Sequence, residues 1–221
     1  MATADARTYL RGLVGELNAQ WPANRTIDVV CHGHSVPAGY FATPMVDTFN
    51  AYPHLLHQGL KHRFPYAVVN VVVTAIGGEN SQNGAERFEH DVLCHRPDVL
   101  TIDYGLNDRG IGLAAAARSW RSMIEQALRT QSKLLLLTPT PDVSGLADPS
   151  EEQWVLLQRH ADQIRGLADE YQVGLVDSLG TFESYVRGGG DLTDLLSWTN
   201  HPNRKGHELV AALLMRWFAI L

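Results

Sequence analysis

Cysteine is scarce in this chain, with only Cys31 and Cys94 among 221 residues. Two cysteines in a chain of this length make no disulfide framework. Each sits beside a histidine and an apolar run, which reads as a small buried hydrophobe. Positive charge is also in deficit, with 18 Lys plus Arg against 24 Asp plus Glu and a net charge of −6 with His neutral. That balance gives no electrostatic footprint for a nucleic-acid backbone or an anionic membrane surface, so nucleic acid is not an expected partner. Long hydrophobic runs are missing as well: 134–137, and 68–73 with its Asn70, fall far short of a spanning helix. Residues 1–21 lack a basic region followed by an apolar one, because Arg11, Glu16 and Asn18 interrupt any such run. No membrane insertion is expected, and the expected location is cytoplasmic unless a leader has been removed. With no Pro/Gly/Ser-rich linker, internal repeat or low-complexity tract, residues 1–221 are expected to form a single domain.

What the chain does have is an ordinary folded composition, 45% hydrophobic and 19% charged, patterned as alternating strands and helices. Short β-branched or leucine-rich runs predict strands at 27–31, 67–74, 99–103, 133–138 and 174–176. Segments of helical period lie between them at 5–20, 45–63, 84–94, 113–130 and 151–171, and 204–220 closes the chain. Alternation of this kind gives βαβ units and a mostly parallel five-stranded sheet, in an α/β three-layer α/β/α sandwich. The near-continuous apolar runs VVNVVV and KLLLL imply a sheet covered on both faces. The stretch 138–149, rich in Pro, Asp and Ser, reads as a long loop after the fourth strand.

In open parallel sheets, ligands gather outside the carboxyl ends of the strands. Gly33-His34-Ser35 follows the first strand, Gly77-Gly78-Glu79-Asn80 the second and Gly105-Leu106-Asn107-Asp108 the third, while His201-Pro202-Asn203 lies in the long segment after the fifth. Four loops thus deliver a serine, glycines, an asparagine and a histidine to one edge. Those are the parts acyl transfer requires: a hydroxyl nucleophile, a base for its proton, and donors for the oxyanion.

These residues resemble the four sequence blocks of the SGNH (GDSL-type) hydrolases, in that family's order. Ser35 in GHSVPAGY matches the nucleophile, Gly78 in AIGGENS and Asn107 in YGLNDRG match the oxyanion donors, and His201 in NHPNRKGHELVA matches the base. The resemblance runs from about residue 27 to the end and implies the flavodoxin-like fold of that family. It also implies a serine esterase acting on a small-molecule carboxylic ester, with short acyl groups, such as acetyl on a carbohydrate, as the first expectation. No cofactor or metal is expected, and the oligomeric state stays open.

The chain departs from the family pattern at two positions. His34 stands where the first block has aspartate, placing an ionisable imidazole instead of a fixed anion beside the nucleophile. Trp198 occupies the position of the triad acid, three residues before His201. The preferred expectation is a Ser35–His201 dyad, with a backbone carbonyl of residues 195–199 accepting from the ring. Asp194 or Asp191 as the acid is the alternative. More modest roles compete with these: Ser35 as a helix cap, Asn107-Asp108 as an Asx turn, Glu79 and Arg109 as a pair or as solvated charges, and His207 as a surface or capping residue. Two other functional classes stay open. One is a metal-dependent hydrolase using Cys31, His32 and His34, against which strand alternation argues. The other is a non-catalytic ligand-binding module on the same fold.

Overall fold

Five short runs build the sheet: β1 (Thr26–Gly33), β2 (Val68–Val73), β3 (Val99–Asp103), β4 (Lys133–Leu137) and β5 (Gly174–Val176). In the computed structural model, which describes residues 3–147 and 150–220, they pair in the order β2-β1-β3-β4-β5, and every pair is parallel. This is the flavodoxin-like strand order, and its switch point, where ligands gather, lies between β1 and β3. Val30 opposes Val72 on one side and Leu100 on the other, and Leu100 in turn opposes Leu134. The strands expected at 99–103 and 174–176 match residue for residue, and the other three shift by two residues or fewer.

The helices are α1 (Arg11–Leu17), α2 (Ser35–Ala38), α3 (Tyr52–Arg63), α4 (Ser81–Glu86), α5 (Phe88–Asp91), α6 (Gly112–Arg129), α7 (Ser144–Ala147), α8 (Glu152–Tyr171), α9 (Ser178–Arg187) and α10 (Arg204–Met215). The helix expected over 5–20 is confined to α1, and the one expected over 84–94 breaks into α4, α5 and a 3-10 turn at Leu93–His95. Within α4, a Cβ at Gly84 would fall 2.4 Å from the Tyr104 ring, so glycine is held there despite its cost of ~0.5–1 kcal/mol in a helix. Helix α9 was not expected. Its start carries a usable signal, since Asp177 directly after the short β5 caps it by accepting from the Gly180 N–H at 3.1 Å.

Period-two alternation along the strands sends two sets of side chains to two cores. Val29, Cys31, Val99, Leu135 and Val176 pack with Leu13 and Leu17 of α1, Leu56 and Leu60 of α3, and Val210 and Leu214 of α10. Val30, Leu100, Ile102, Leu134 and Leu136 pack against α6 and α8 on the opposite face. In α6 the buried residues Ala116, Trp120, Met123, Ile124 and Ala127 recur at helical spacing, each large one contributing ~1.5–3 kcal/mol by leaving water. The expectation for VVNVVV needs correction. KLLLL is a central strand with four buried leucines, but β2 is an edge strand whose Val68 and Val73 are 49% and 40% exposed. Composition alone does not distinguish an edge from a centre. Cys31 is buried as expected, with burial pushing its thiol up to about 12, whereas Cys94 lies exposed. Of the loop expected at 138–149, Asp148 and Pro149 lie outside the described residues.

Candidate active site

The carboxyl ends of β1 and β3 meet at a close approach. A Cβ on Gly33 would sit 2.4 Å from the Asp103 carbonyl oxygen and 2.7 Å from Pro37, so only glycine lets the chain turn there. The chain then enters α2, whose N-cap is His34, with the imidazole Nδ1 accepting from the Val36 N–H at 3.4 Å. Ser35 is therefore not the cap, and its hydroxyl is left for other partners. As the first helical residue, Ser35 also keeps its backbone N–H free of any intrahelical acceptor.

His201 arrives from the far end of the chain on a narrow turn. Leu196 pairs antiparallel with Pro202, and the Ser197 N–H donates to the His201 carbonyl at 2.9 Å. Trp198 sits in this turn, 62% exposed. The His201 Nε2 lies 2.9 Å from Ser35 Oγ, and its Nδ1 lies 2.8 Å from the Phe41 carbonyl oxygen. A carbonyl only accepts, so the ring hydrogen is on Nδ1 and the Ser35 hydroxyl donates to Nε2. Burial lowers the His201 pKa below its ordinary value, opposed by the bond to Phe41 and reinforced by nearby His34. The ring is thus neutral and accepting at neutral pH. Ser35 is 7% exposed and His201 5%.

The orienting oxygen comes from Phe41 and not from residues 195–199. Its 160-residue separation from His201 and its main-chain character leave no trace in side-chain pattern. Neither alternative acid takes this role. Asp194 accepts from the Tyr185 hydroxyl at 3.0 Å, and Asp191 accepts from the Thr193 N–H at 2.8 Å.

The loops after β2 and β3 are bonded to this core. The Ile76 N–H donates to the Gly33 carbonyl at 3.1 Å, and Gly78 follows at φ 83°, a backbone shape glycine takes without penalty. Asn107 donates one amide hydrogen to the Glu79 carbonyl at 2.8 Å, which ties the asparagine to the residue after Gly78. Among the described residues no backbone N–H donates to its side-chain oxygen, so it makes no Asx turn. Asp108, fully buried, accepts from the Ser81 N–H and from Trp120 Nε1, both at 2.7 Å, and so pins both loops to α6. Burial raises its pKa, and those two bonds oppose the rise.

Two further expectations are corrected. Glu79 pairs not with Arg109 but with Arg87, whose Nη2 lies 2.6 Å from its carboxylate, while Arg109 pairs with Asp142 at 2.6 Å. His207 is a core residue, fully buried, its ring 5.1 Å from that of Phe41 and its Nδ1 accepting from the Tyr52 N–H at 3.2 Å. The proposed metal cluster does not assemble either. Cys31 faces the core of α1, α3 and α10, while His32 is held by Thr74 Oγ1 at 2.9 Å and contacts the Gly84 carbonyl at 3.2 Å. Among the described residues, no three His, Cys, Asp or Glu side chains converge to hold a metal ion.

Fold and family together define an enzyme that hydrolyses ester bonds. The chain belongs to the GDSL-like lipase/acylhydrolase family, whose profile matches residues 31–209. It is 22% identical over 166 residues to an acetylxylan esterase of Geobacillus stearothermophilus, an alignment covering 69% of this chain and 74% of that protein. The crystal structure of an acetylxylan esterase from that organism superimposes with a TM-score of 0.76 at 20% identity, over 88% of this chain and 95% of the other. Its solved forms include catalytic mutants in which a histidine or a serine is replaced by alanine. A two-domain esterase active on acetylated mannans superimposes with a TM-score of 0.73 at 20% identity, over 95% of this chain and 52% of that one.

Proposed function

We propose that the protein is a serine esterase that removes short acyl groups, acetyl foremost, from a carbohydrate. The observation that carries this reading is the chain Ser35 hydroxyl, His201 ring, Phe41 carbonyl, with spacings of 2.9 and 2.8 Å. In the first step His201 Nε2 takes the Ser35 proton as Oγ attacks the ester carbonyl, and the imidazolium then protonates the leaving alcohol. The acyl-enzyme is hydrolysed by the same sequence with water as nucleophile. The oxyanion is held by the backbone N–H groups of Ser35 and Gly78 and by the second amide hydrogen of Asn107, whose first is engaged by Glu79. The Phe41 carbonyl fixes the tautomer that makes Nε2 a base. It stabilises the imidazolium less than a carboxylate would, because it carries a dipole and no net charge.

The surroundings support a polar alcohol. A groove lined by Arg109, Asp142, Val143, Ser144, Glu151, Gln153, Thr199 and Asn200 includes the residue before His201 and the second residue after Asn107. Such a lining offers hydrogen bonds to hydroxyl groups. The polysaccharide esterases that share the fold act on acetylated substrates of that kind. The test is a series of p-nitrophenyl esters of graded acyl length, with acetylated xylo-oligosaccharides alongside, run on the wild type and on Ser35→Ala. The acetyl ester should turn over fastest, and Ser35→Ala should lose about 10⁴–10⁶ in kcat with its melting temperature unchanged. Turnover surviving in Ser35→Ala would remove the nucleophile assignment, and a preference for long acyl chains would remove the acetyl assignment.

A further inference from the structure

The face of Ser35 away from His201 holds a second ring with a carboxylate behind it. His34 Nδ1 lies 3.2 Å from Ser35 Oγ, and on the other side of the same ring Nε2 lies 3.5 Å from Asp103 Oδ1. The second Asp103 oxygen accepts from the Tyr52 hydroxyl at 3.4 Å. His34 and Asp103 are both sealed from solvent, and among the described residues His34 Nε2 and Asp103 Oδ1 face each other with no hydrogen-bond partner. Two buried polar atoms left facing each other are costly, and they call for an explanation beyond helix capping. Capping by His34 accounts only for the Nδ1 contact with Val36, and a short polar side chain would serve there as well. Nothing in capping requires a carboxylate behind the ring.

The tautomer can be read from the partners. Because the Val36 N–H donates to Nδ1, that nitrogen carries a lone pair, and the ring hydrogen sits on Nε2 facing Asp103. The lone pair therefore faces both the Val36 N–H and the Ser35 oxygen, whose single hydrogen can turn to this ring only when it leaves His201 Nε2. The other ionisable groups near the ring are His201 across the serine, Asp108, which His34 influences electrostatically, and Tyr104, whose ring centre is 6.5 Å away.

We propose that His34 is a second proton acceptor for Ser35, backed by Asp103, so that the serine stands between a carbonyl-backed and a carboxylate-backed imidazole. This rests on the reading of Ser35 as the nucleophile. In the step, the Ser35 O–H bond breaks and the proton moves to His34 Nδ1. The Oγ electron pair forms the new bond to the substrate, and the resulting imidazolium faces the Asp103 carboxylate. His34 is too deeply buried to hand that proton to a departing alcohol, so His201 keeps the task. The contribution of His34 therefore stands out when the leaving group needs no proton. Asp103 is a positioning residue that acts through the ring.

Fluorophosphonate labelling meets that condition, because fluoride leaves unprotonated as the Oγ–P bond forms. The labelling rate of Ser35 is measured in wild type, Ser35→Ala, His201→Ala, and His201→Ala combined with His34→Asn or with Asp103→Asn. We expect His201→Ala to label about 10²–10⁴-fold more slowly than wild type, yet at least tenfold above the Ser35→Ala background. Either second substitution should bring it down to that background. Thermal unfolding accompanies each variant. Should His34→Asn fail to fold, Asp103→Asn carries the comparison, since it keeps shape and removes only charge. An unlabelled wild type would sink the nucleophile reading itself. A labelled wild type with an inert His201→Ala, or a residual rate indifferent to both second substitutions, would overturn the His34 proposal alone.

Discussion

His201 and His207 lie six residues apart, are both buried and both touch Phe41, yet the fold makes different objects of them. The Phe41 carbonyl accepts from the His201 ring at 2.8 Å and leaves Nε2 turned to the serine. The Phe41 side chain packs on the His207 ring at 5.1 Å, and among the described residues that ring's hydrogen bond is to the Tyr52 backbone N–H alone. Burial lowers the pKa of both, His207 to about 3. The comparison shows that burial by itself does not tell the proposed base from a packed ring. What separates the two is an open lone pair aimed at a hydroxyl.

The largest effect that tests this division is at the reactive edge. Asn107→Ala should lower kcat on an acetyl ester by about 10²–10³, as loss of one oxyanion donor does, with little change in melting temperature. A stability loss without a rate loss would move Asn107 into the sealed region.

Next comes His207→Leu, which strands the buried Tyr52 N–H and should cost about 1–3 kcal/mol by chemical denaturation while leaving kcat within a few-fold. The pH dependence gives the same variant a second reading. The unfolded His207 ring takes up a proton below about 6.5, while the native ring stays neutral down to about 3. Its share of stability is therefore full above pH 6.5 and is lost as pH falls from there, at about 1.4 kcal/mol per unit. His32, also pushed down to about 3, and His160, pushed down to about 4, contribute in the same sense. His207→Leu should thus become less acid-sensitive than wild type without losing the effect entirely. A large kcat loss in this variant would show that Phe41 couples the two rings.

The smallest effect is the acid limb of kcat/KM. The proposed mechanism needs a neutral His201, and burial lowers that ring's pKa, so the midpoint of the limb should fall below 6.5. A midpoint above 6.5 would mean that the ring gains a charged partner in solution.

The same division explains what could be read from the sequence. Central strands such as β4 announce themselves because both faces are buried, and Ser35, Gly78, Asn107 and His201 carry motif spacing that points to one sheet edge. The edge position of β2 was hidden, because a valine-rich run has the same composition at the margin of a sheet as in its middle. The Phe41 oxygen was hidden for a different reason: every residue has a carbonyl, so no residue type advertises one. Asp103 had a faint signal, a single acid closing an otherwise uncharged strand, and only the fold brings it behind the ring of His34.

The main-chain origin of that Phe41 oxygen has a hereditary consequence. A triad carboxylate disappears with one codon change, but the oxygen that orients His201 is present in every amino acid position 41 can hold. Point substitution there can alter shape and packing on His207, and still the acceptor persists wherever the backbone keeps its course between Tyr40 and the Met45 carbonyl that anchors the Phe41 N–H at 3.0 Å. One part of the proposed site thus lies out of reach of side-chain mutation, and position 198 carries an exposed tryptophan that takes no part in orienting the ring.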